Sequence, residues 1–289
     1  MDITDFEKSL FAEGKADKTI ESYATDVKGF LAYLETQSGE GKEFNRTSFL
    51  AYLAWLSSCK YAVATINKKV NSLKVFNDFL LKKGIVRDTY IHMKKDRIGI
   101  AAGSEIEVTI LSDEEVEKVL LLIEDDQQVS QRNKLLVYLL LYRGIRVSEL
   151  ISIQMLDIDF LTSHLMVTGK GGKRREIGLR SDVLQLVRRY IKEERSASIF
   201  HHSAYLLVTQ RSEKMHRDAV RDWLERISVK LGFKVHPHLF RHTFCTRLLQ
   251  KGVDLTTVSK LAGHSSVNMT AKYYIQTSRK EKMDAVNLL

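Results

Sequence analysis

A single proline, Pro237, stands in 289 residues. Proline removes a backbone donor and disfavours helix in the residue before it, so a chain nearly free of it meets few enforced breaks. The apolar residues agree with long helices. Ile20, Tyr23, Val27, Phe30, Leu31 and Leu34 recur at helical spacing, and a second amphipathic stretch covers residues 49–56. A third stripe carries Ile66, Val70, Leu73, Phe76 and Leu80, and Gly84 ends it. This pattern predicts a compact module of about four or five helices over residues 1–97.

Periodicity lapses over residues 87–107, basic and then Gly-containing; 98–107 read as a linker, the alternative for the segment being a last short helix plus a loop. A second domain is expected over 108–289. Ser112 and Glu115 form a capping box that opens a helix, and another helix runs through residues 135–142. Residues 156–179 form the β region: apolar pieces around 165–167 and 176–179 flank a turn at Gly169, Lys170, Gly171 and Gly172. Helical pattern resumes at 182–195, at 213–231 and from Pro237 onward. The predicted fold class is mainly α: a helical domain, then a mixed α+β domain with a small antiparallel sheet.

Length suffices for two cores, and 44% hydrophobic with 28% charged residues argues for globular folding. No run of about eighteen apolar residues is present, and the first ten residues lack the basic-then-apolar order of a signal peptide. A cytoplasmic protein with no membrane partner is expected. Cys59 and Cys245 read as buried thiols rather than a disulfide.

The formal net charge is +9. It is unevenly spread: the first 59 residues are net acidic and the remainder is net basic. Segregated basic charge points to a polyanion such as double-stranded DNA. Lys68, Lys69, Lys82, Lys83, Lys94 and Lys95 in the first domain, with Lys173 and Arg174 in the second, are candidate phosphate contacts. A solvated face explains about half of such lysines equally well.

Four segments carry chemistry: GIRVSEL at 144–150, TGKGGKRREIGL at 168–179, HPHLFRH at 236–242, and LAGH at 261–264 followed by KYY at 272–274. Transfer of a phosphodiester without a metal needs permanent cations that fork onto non-bridging oxygens, which arginine provides. Two arginines can neutralise charge growing in the transition state. A tyrosine hydroxyl conserves bond energy for rejoining because phenolate is a fair leaving group. A lysine on a hairpin can protonate the departing oxygen, and histidines can donate hydrogen bonds or shuttle protons. Pro237 at a helix start places His238 and Arg241 one turn apart, and Asp254 can cap a helix that stops at Gly263. Glu149, three residues after Arg146, either orients a catalytic neighbour or is a surface partner. Arg143 either adds a phosphate contact or faces solvent.

Together these segments resemble the active-site boxes of the tyrosine recombinase (phage integrase) family, over roughly residues 108–280. The first hundred residues are similar, less specifically, to its helical SAM-like core-binding domain. The resemblance implies a catalytic set of Arg146, Lys170, His238, Arg241, His264 and Tyr273, the last chosen over Tyr274 by its nine-residue spacing from His264. It implies site-specific recombination through a 3′-phosphotyrosyl bond and a Holliday junction, with no metal and no cofactor. It further implies a C-shaped clamp around the recombination site and a homotetramer on two synapsed sites. The C-terminal stretch 280–289 would be a helix exchanged between subunits or packed in its own. A simple, Xer-like two-domain type is expected. Dimer or cointegrate resolution, integron or phage integration, and use of a second recombinase or a DNA-bending accessory protein stay open. Three rivals are weighed: a DNA-binding regulator without catalysis, a topoisomerase that relaxes one duplex, and a metallohydrolase on His236, His238 and His242. The last lacks the glutamate that an HExxH pair carries.

Overall fold

The computed structural model describes residues 3–37, 43–99, 108–264, 266–274 and 287; for residues 170 and 272–274 it describes the backbone alone. The chain divides into two compact units, Met1–Ser104 and Glu105–Leu289. The expected linker falls largely on residues 100–107, outside the described residues.

The first unit consists of α1 (Ile3–Ala12), α2 (Asp17–Glu35), α3 (Arg46–Ser58), α4 (Val63–Lys82) and the single turn α5 (Met93–Asp96). The stripe read from α4 is buried in full, and Val27, Phe30 and Leu34 of α2 join it. Aromatic rings dominate this core: Phe6 meets Phe76 edge-on at 5.1 Å, and Phe30 meets Tyr52 at 5.0 Å. Asn45 caps α3 by accepting from the Ser48 amide, a contact that contributes about 1 kcal/mol. Arg46 donates two hydrogen bonds to Asp96 and one to the Tyr90 carbonyl, pinning the segment that carries α5.

The second unit opens with α6 (Asp113–Asp125), α7 (Gln131–Arg143) and α8 (Val147–Leu150). The Ser112–Glu115 capping box at α6 is formed on both sides. The strands β1 (Ile158–Asp159), β2 (His164–Thr168) and β3 (Arg174–Gly178) make an antiparallel sheet in that order. Register pairs Leu165 with Ile177 and Val167 with Arg175. Gly171 and Gly172 both take positive φ in the β2–β3 turn, which a side chain would disfavour.

There follow α9 (Ser181–Arg189), continued by a wider π turn through Arg195, then α10 (Arg217–Leu231), α11 (Pro237–Gln250), α12 (Leu255–Ala262) and α13 (Val267–Tyr274). Helix α10 starts four residues later than its pattern suggests, because residues 213–216 lie in the loop that precedes it. Helix α7 is the hub of this core: Leu135, Leu136, Val137, Leu139, Leu140 and Leu141 are all buried, so the helix is covered on nearly every side.

Two expectations need correction. Cys59 is exposed, since it ends α3 at a turn where Lys60 takes positive φ; Cys245 is buried, and both are free thiols. Arg143 does not face solvent: it is half-buried, its Nη1 donates to the Tyr142 carbonyl, and burial foremost lowers its pKa. The expected helix at 280–289 lies outside the described residues apart from Asn287.

Candidate active site

Three local devices present the polar residues of the second unit. Helix α7 stops because Gly144 adopts the left-handed conformation at its C-cap, with φ of 55°. The chain then turns so that Arg146 becomes the N-cap of α8. Pro237 occupies the first turn of α11, and His236 caps it by accepting from the Leu239 amide through Nδ1. This sets His238 and Arg241 one turn apart. Asp254 caps α12 through the Thr257 amide, and left-handed Gly263 ends that helix, so His264 follows directly.

Tertiary packing then joins these ends. Arg241 is almost fully buried, 3% exposed, and its Nη1 donates to the Gly144 carbonyl at 2.5 Å. Its Nη2 is buried without a hydrogen-bond partner among the described residues. A guanidinium nitrogen left in that state costs free energy unless an acceptor arrives. Burial, and then the Arg146 charge, lower the Arg241 pKa to about 10. The side chain therefore stays cationic at neutral pH.

Glu149, 3% exposed, is the counterweight. Its carboxylate accepts from Nη1 and Nη2 of Arg175 at 2.9 and 2.8 Å, and from Nη1 and the backbone amide of Arg146 at 2.9 Å each. Burial works to raise its pKa, but the hydrogen bonds from Arg175 and Arg146 hold it below the usual carboxylate range. Of the two readings open for Glu149, the orienting one fits this placement and the surface one does not.

His264 shares a hydrogen bond between Nδ1 and the Thr270 hydroxyl at 2.7 Å, which ties the end of α12 to α13. Burial first, then Arg241, Arg146 and Arg175, push the His264 pKa down to about 4. His238 is lowered by burial and by Arg241, Arg217 and Arg146. Both imidazoles are thus neutral at pH 7, close enough to Arg146 and Arg241 to feel their charge. The result is a concentration of positive charge with unused guanidinium donors and neutral imidazoles, which suits a phosphate whose charge grows during reaction.

Lys170 and Tyr273 are placed by their backbone alone. Lys170 opens the 3-10 turn between β2 and β3, and Tyr273 lies on α13 one turn beyond Thr270. Gly169, next to Lys170, sits so close to Glu149 that an added Cβ would lie 3.1 Å from Oε1. Four of six expected catalytic side chains, Arg146, Arg241, His238 and His264, are therefore gathered at one place, and the backbones bearing the other two border it. Among the described residues no group of three His, Cys, Asp or Glu is placed to hold a metal ion.

Sequence reasoning missed Arg175 and Thr270. The signal for Arg175 was present: it lies two and four residues before Ile177 and Leu179, so strand alternation turns it inward with them.

The expected phosphate contacts divide. Lys94, Lys95 and Lys173 are exposed. Arg174 is exposed beside Asp157 at 3.8 Å. Lys82 and Lys83 form exposed ion pairs with Glu13 and Asp5. Lys68 and Lys69 both reach the buried Asp26, and Lys69 is only 16% exposed. Of the eight, Lys69 is the one whose charge is most engaged inside its own unit.

Comparison with known proteins agrees with this architecture. Residues 109–281 match the phage integrase family, and residues 3–85 match the phage integrase N-terminal SAM-like domain. The chain is 32% identical over 286 residues to the TnP I resolvase of Bacillus thuringiensis, covering 96% of this chain and 97% of that protein. It is 31% identical over 291 residues to the tyrosine recombinase XerD of Oceanobacillus iheyensis, covering 97% and 95%. In fold it is similar to the XerH site-specific recombinase in a post-cleavage complex with difH DNA, with TM-score 0.80, 22% identity, and coverage of 100% and 85%. It is likewise similar to a lambda integrase dimer bound to a core site, with TM-score 0.71, 18% identity, and coverage of 96% and 95%. The chain belongs to the phage integrase family. It is a tyrosine site-specific recombinase of the Xer-like type, a DNA strand-transferring enzyme.

Proposed function

We propose that Tyr273 is the nucleophile of a metal- and nucleotide-independent strand transfer. Its phenolic oxygen attacks the scissile phosphorus, the bond from phosphorus to the 5′-oxygen breaks, and a 3′-phosphotyrosyl ester forms. The phenolic proton passes to a neutral imidazole of the cradle, His238 or His264, while Lys170 protonates the leaving 5′-oxygen. Arg146 and Arg241 fork onto the non-bridging oxygens and neutralise the growing charge. Attack by the freed 5′-hydroxyl of a partner duplex reverses these steps and rejoins DNA. Two such exchanges pass through a Holliday junction.

The observation that carries this reading is the buried Nη2 of the cationic Arg241 guanidinium, a donor with no hydrogen-bond partner among the described residues. A non-bridging phosphate oxygen supplies the missing acceptor. Tyr273 is preferred to Tyr274 by its nine-residue spacing from His264.

On the same reading the chain binds a double-stranded recombination site. Lys68, Lys82, Lys83, Lys94, Lys95, Lys173 and Arg174 would meet its phosphates. Four subunits act on two synapsed sites, with the 280–289 stretch exchanged between neighbours, in the cytoplasm on the bacterial nucleoid. Resolution of DNA dimers or cointegrates fits the similarity to a resolvase and to XerD.

The test uses a nicked duplex bearing the target site, on which cleavage releases a short strand and traps the covalent complex. Wild type should give an adduct that survives boiling in detergent, with chelator present and no nucleotide. Tyr273→Phe should give none while binding the site with unchanged affinity. An adduct formed by Tyr273→Phe, or lost from Tyr274→Phe alone, overturns the assignment.

A further inference from the structure

Glu149 stands between two arginines, and the geometry is unequal. Arg175 engages it bidentately, whereas Arg146 gives its side chain to the carboxylate through Nη1 alone. Both arginines could compete for the same two oxygens. Because Arg175 fills the fork-to-fork arrangement, the remaining N–H groups of Arg146 stay available to a ligand.

Arg175 is itself held from two further directions. Its Nε donates to the Leu261 carbonyl at 3.1 Å. Its guanidinium lies flat against Gly263, where an added Cβ would come 2.6 Å from Nη1 and 2.8 Å from Cζ. Through Glu149 it reaches α8, through Leu261 and Gly263 it reaches the residue before His264, and through its own strand it joins the hairpin that carries Lys170. One side chain thus joins three of the segments around the cradle: α8, the β2–β3 hairpin and the end of α12.

We infer that Arg175 is a positioning residue for strand cleavage: by occupying Glu149 bidentately it keeps Arg146 free for the scissile phosphate. The inference rests on the reading of the site given above. Removing the Arg175 guanidinium would leave Glu149 with one cation, and Arg146 would close onto it with both terminal nitrogens. The phosphate then loses a forked contact although Arg146 is unchanged. Arg175→Lys keeps the charge but offers a point donor in place of a fork, so it relieves only part of that competition.

The experiment measures single-turnover covalent trapping on the nicked duplex at saturating protein, alongside duplex affinity and thermal melting. Misplacing a catalytic group by about 1 Å lowers rate by roughly 10²-fold. Arg175→Ala should therefore trap DNA about 100-fold more slowly, and Arg175→Lys about tenfold more slowly, with affinity for the duplex within about threefold of wild type. The decisive variant is the double substitution Arg175→Ala with Glu149→Gln. Neutralising Glu149 removes the competitor, so the double variant should cleave at least about fivefold faster than Arg175→Ala alone. A merely structural role predicts that the double variant is worse.

Wild-type rates in Arg175→Lys, or a double variant no faster than Arg175→Ala, would overturn the inference. If Arg175→Ala does not fold, Arg175→Gln with and without Glu149→Gln replaces it, and the same comparison decides. Wild-type protein that traps no DNA would sink the recombinase mechanism itself, a failure separate from that of Arg175.

Discussion

The Arg241 guanidinium donates to the Gly144 carbonyl oxygen at 2.5 Å, joining α11 to the turn that presents Arg146. The two residues are 97 positions apart in sequence. This bond makes the position of one arginine depend on the backbone that places the other. Gly144 is suited to it twice over, by its positive φ and by the closeness of Phe244, whose ring would lie 2.3 Å from an added Cβ.

Gly144→Ala should therefore be costly in both stability and rate. The left-handed conformation costs a non-glycine residue about 1–2 kcal/mol, and overpacking against a ring adds about 1–3 kcal/mol. Together these lower the melting temperature by about 4–20 °C for a unit of this size. Covalent trapping should slow as well, since the Arg241 anchor moves. Gly232→Ala is the control: its φ is +77° but nothing lies within 4 Å, so only the backbone term applies. Equal melting temperatures for the two variants would contradict this.

The histidines predict a pH response with a definite sign. The folded pKa of His264 is about 4, and those of His236, His238 and His242 are lowered too, burial being the largest cause for each. Below the ordinary histidine value of 6.5 the unfolded chain binds protons that the folded chain refuses. Stability contributed by these groups is complete above pH 6.5 and is lost as pH falls from there toward 4. Urea midpoints measured from pH 8 to pH 4.5 should decline below 6.5. The single-turnover cleavage rate should show no histidine inflection between pH 7 and 8, and an inflection there would mean that a charged imidazole takes part.

Salt dependence separates the lysines. Each phosphate contact contributes about 0.9 to the slope of log affinity against log salt concentration. Lys94→Ala and Lys95→Ala should each flatten the slope by about that amount. Lys69→Met should leave it unchanged and instead lower the melting temperature, because the buried Asp26 then keeps, among the described residues, only Lys68 and Ser72 as partners. A flatter slope for Lys69→Met would show that its charge reaches DNA despite Asp26.

Much of the site was legible in the chain because its local supports are local in origin. The Ser112–Glu115 box, Pro237 at a helix start, the Asp254 cap and the Gly263 stop each depend on residues within one turn. The same holds for the buried stripe of α4 and the glycines of the β2–β3 turn. Arg175 is hard to single out because it sits in a run of three basic residues, Lys173, Arg174 and Arg175, whose charge hides the strand face. Cys59 was misjudged because periodicity does not say where a helix ends against solvent, and it equally does not show that the Asp26 carboxylate waits beside Lys69.

The order of helices, the hairpin and the chemistry-bearing residue types were determined by the sequence alone, through propensities and caps that act over three to five neighbours. Tertiary structure decided which cation spends its charge on a carboxylate and which keeps it for a ligand. That choice depends on distances between residues 26 to 97 positions apart, such as Arg175 to Glu149 and Arg241 to Gly144, and only packing of the core brings them within hydrogen-bond reach.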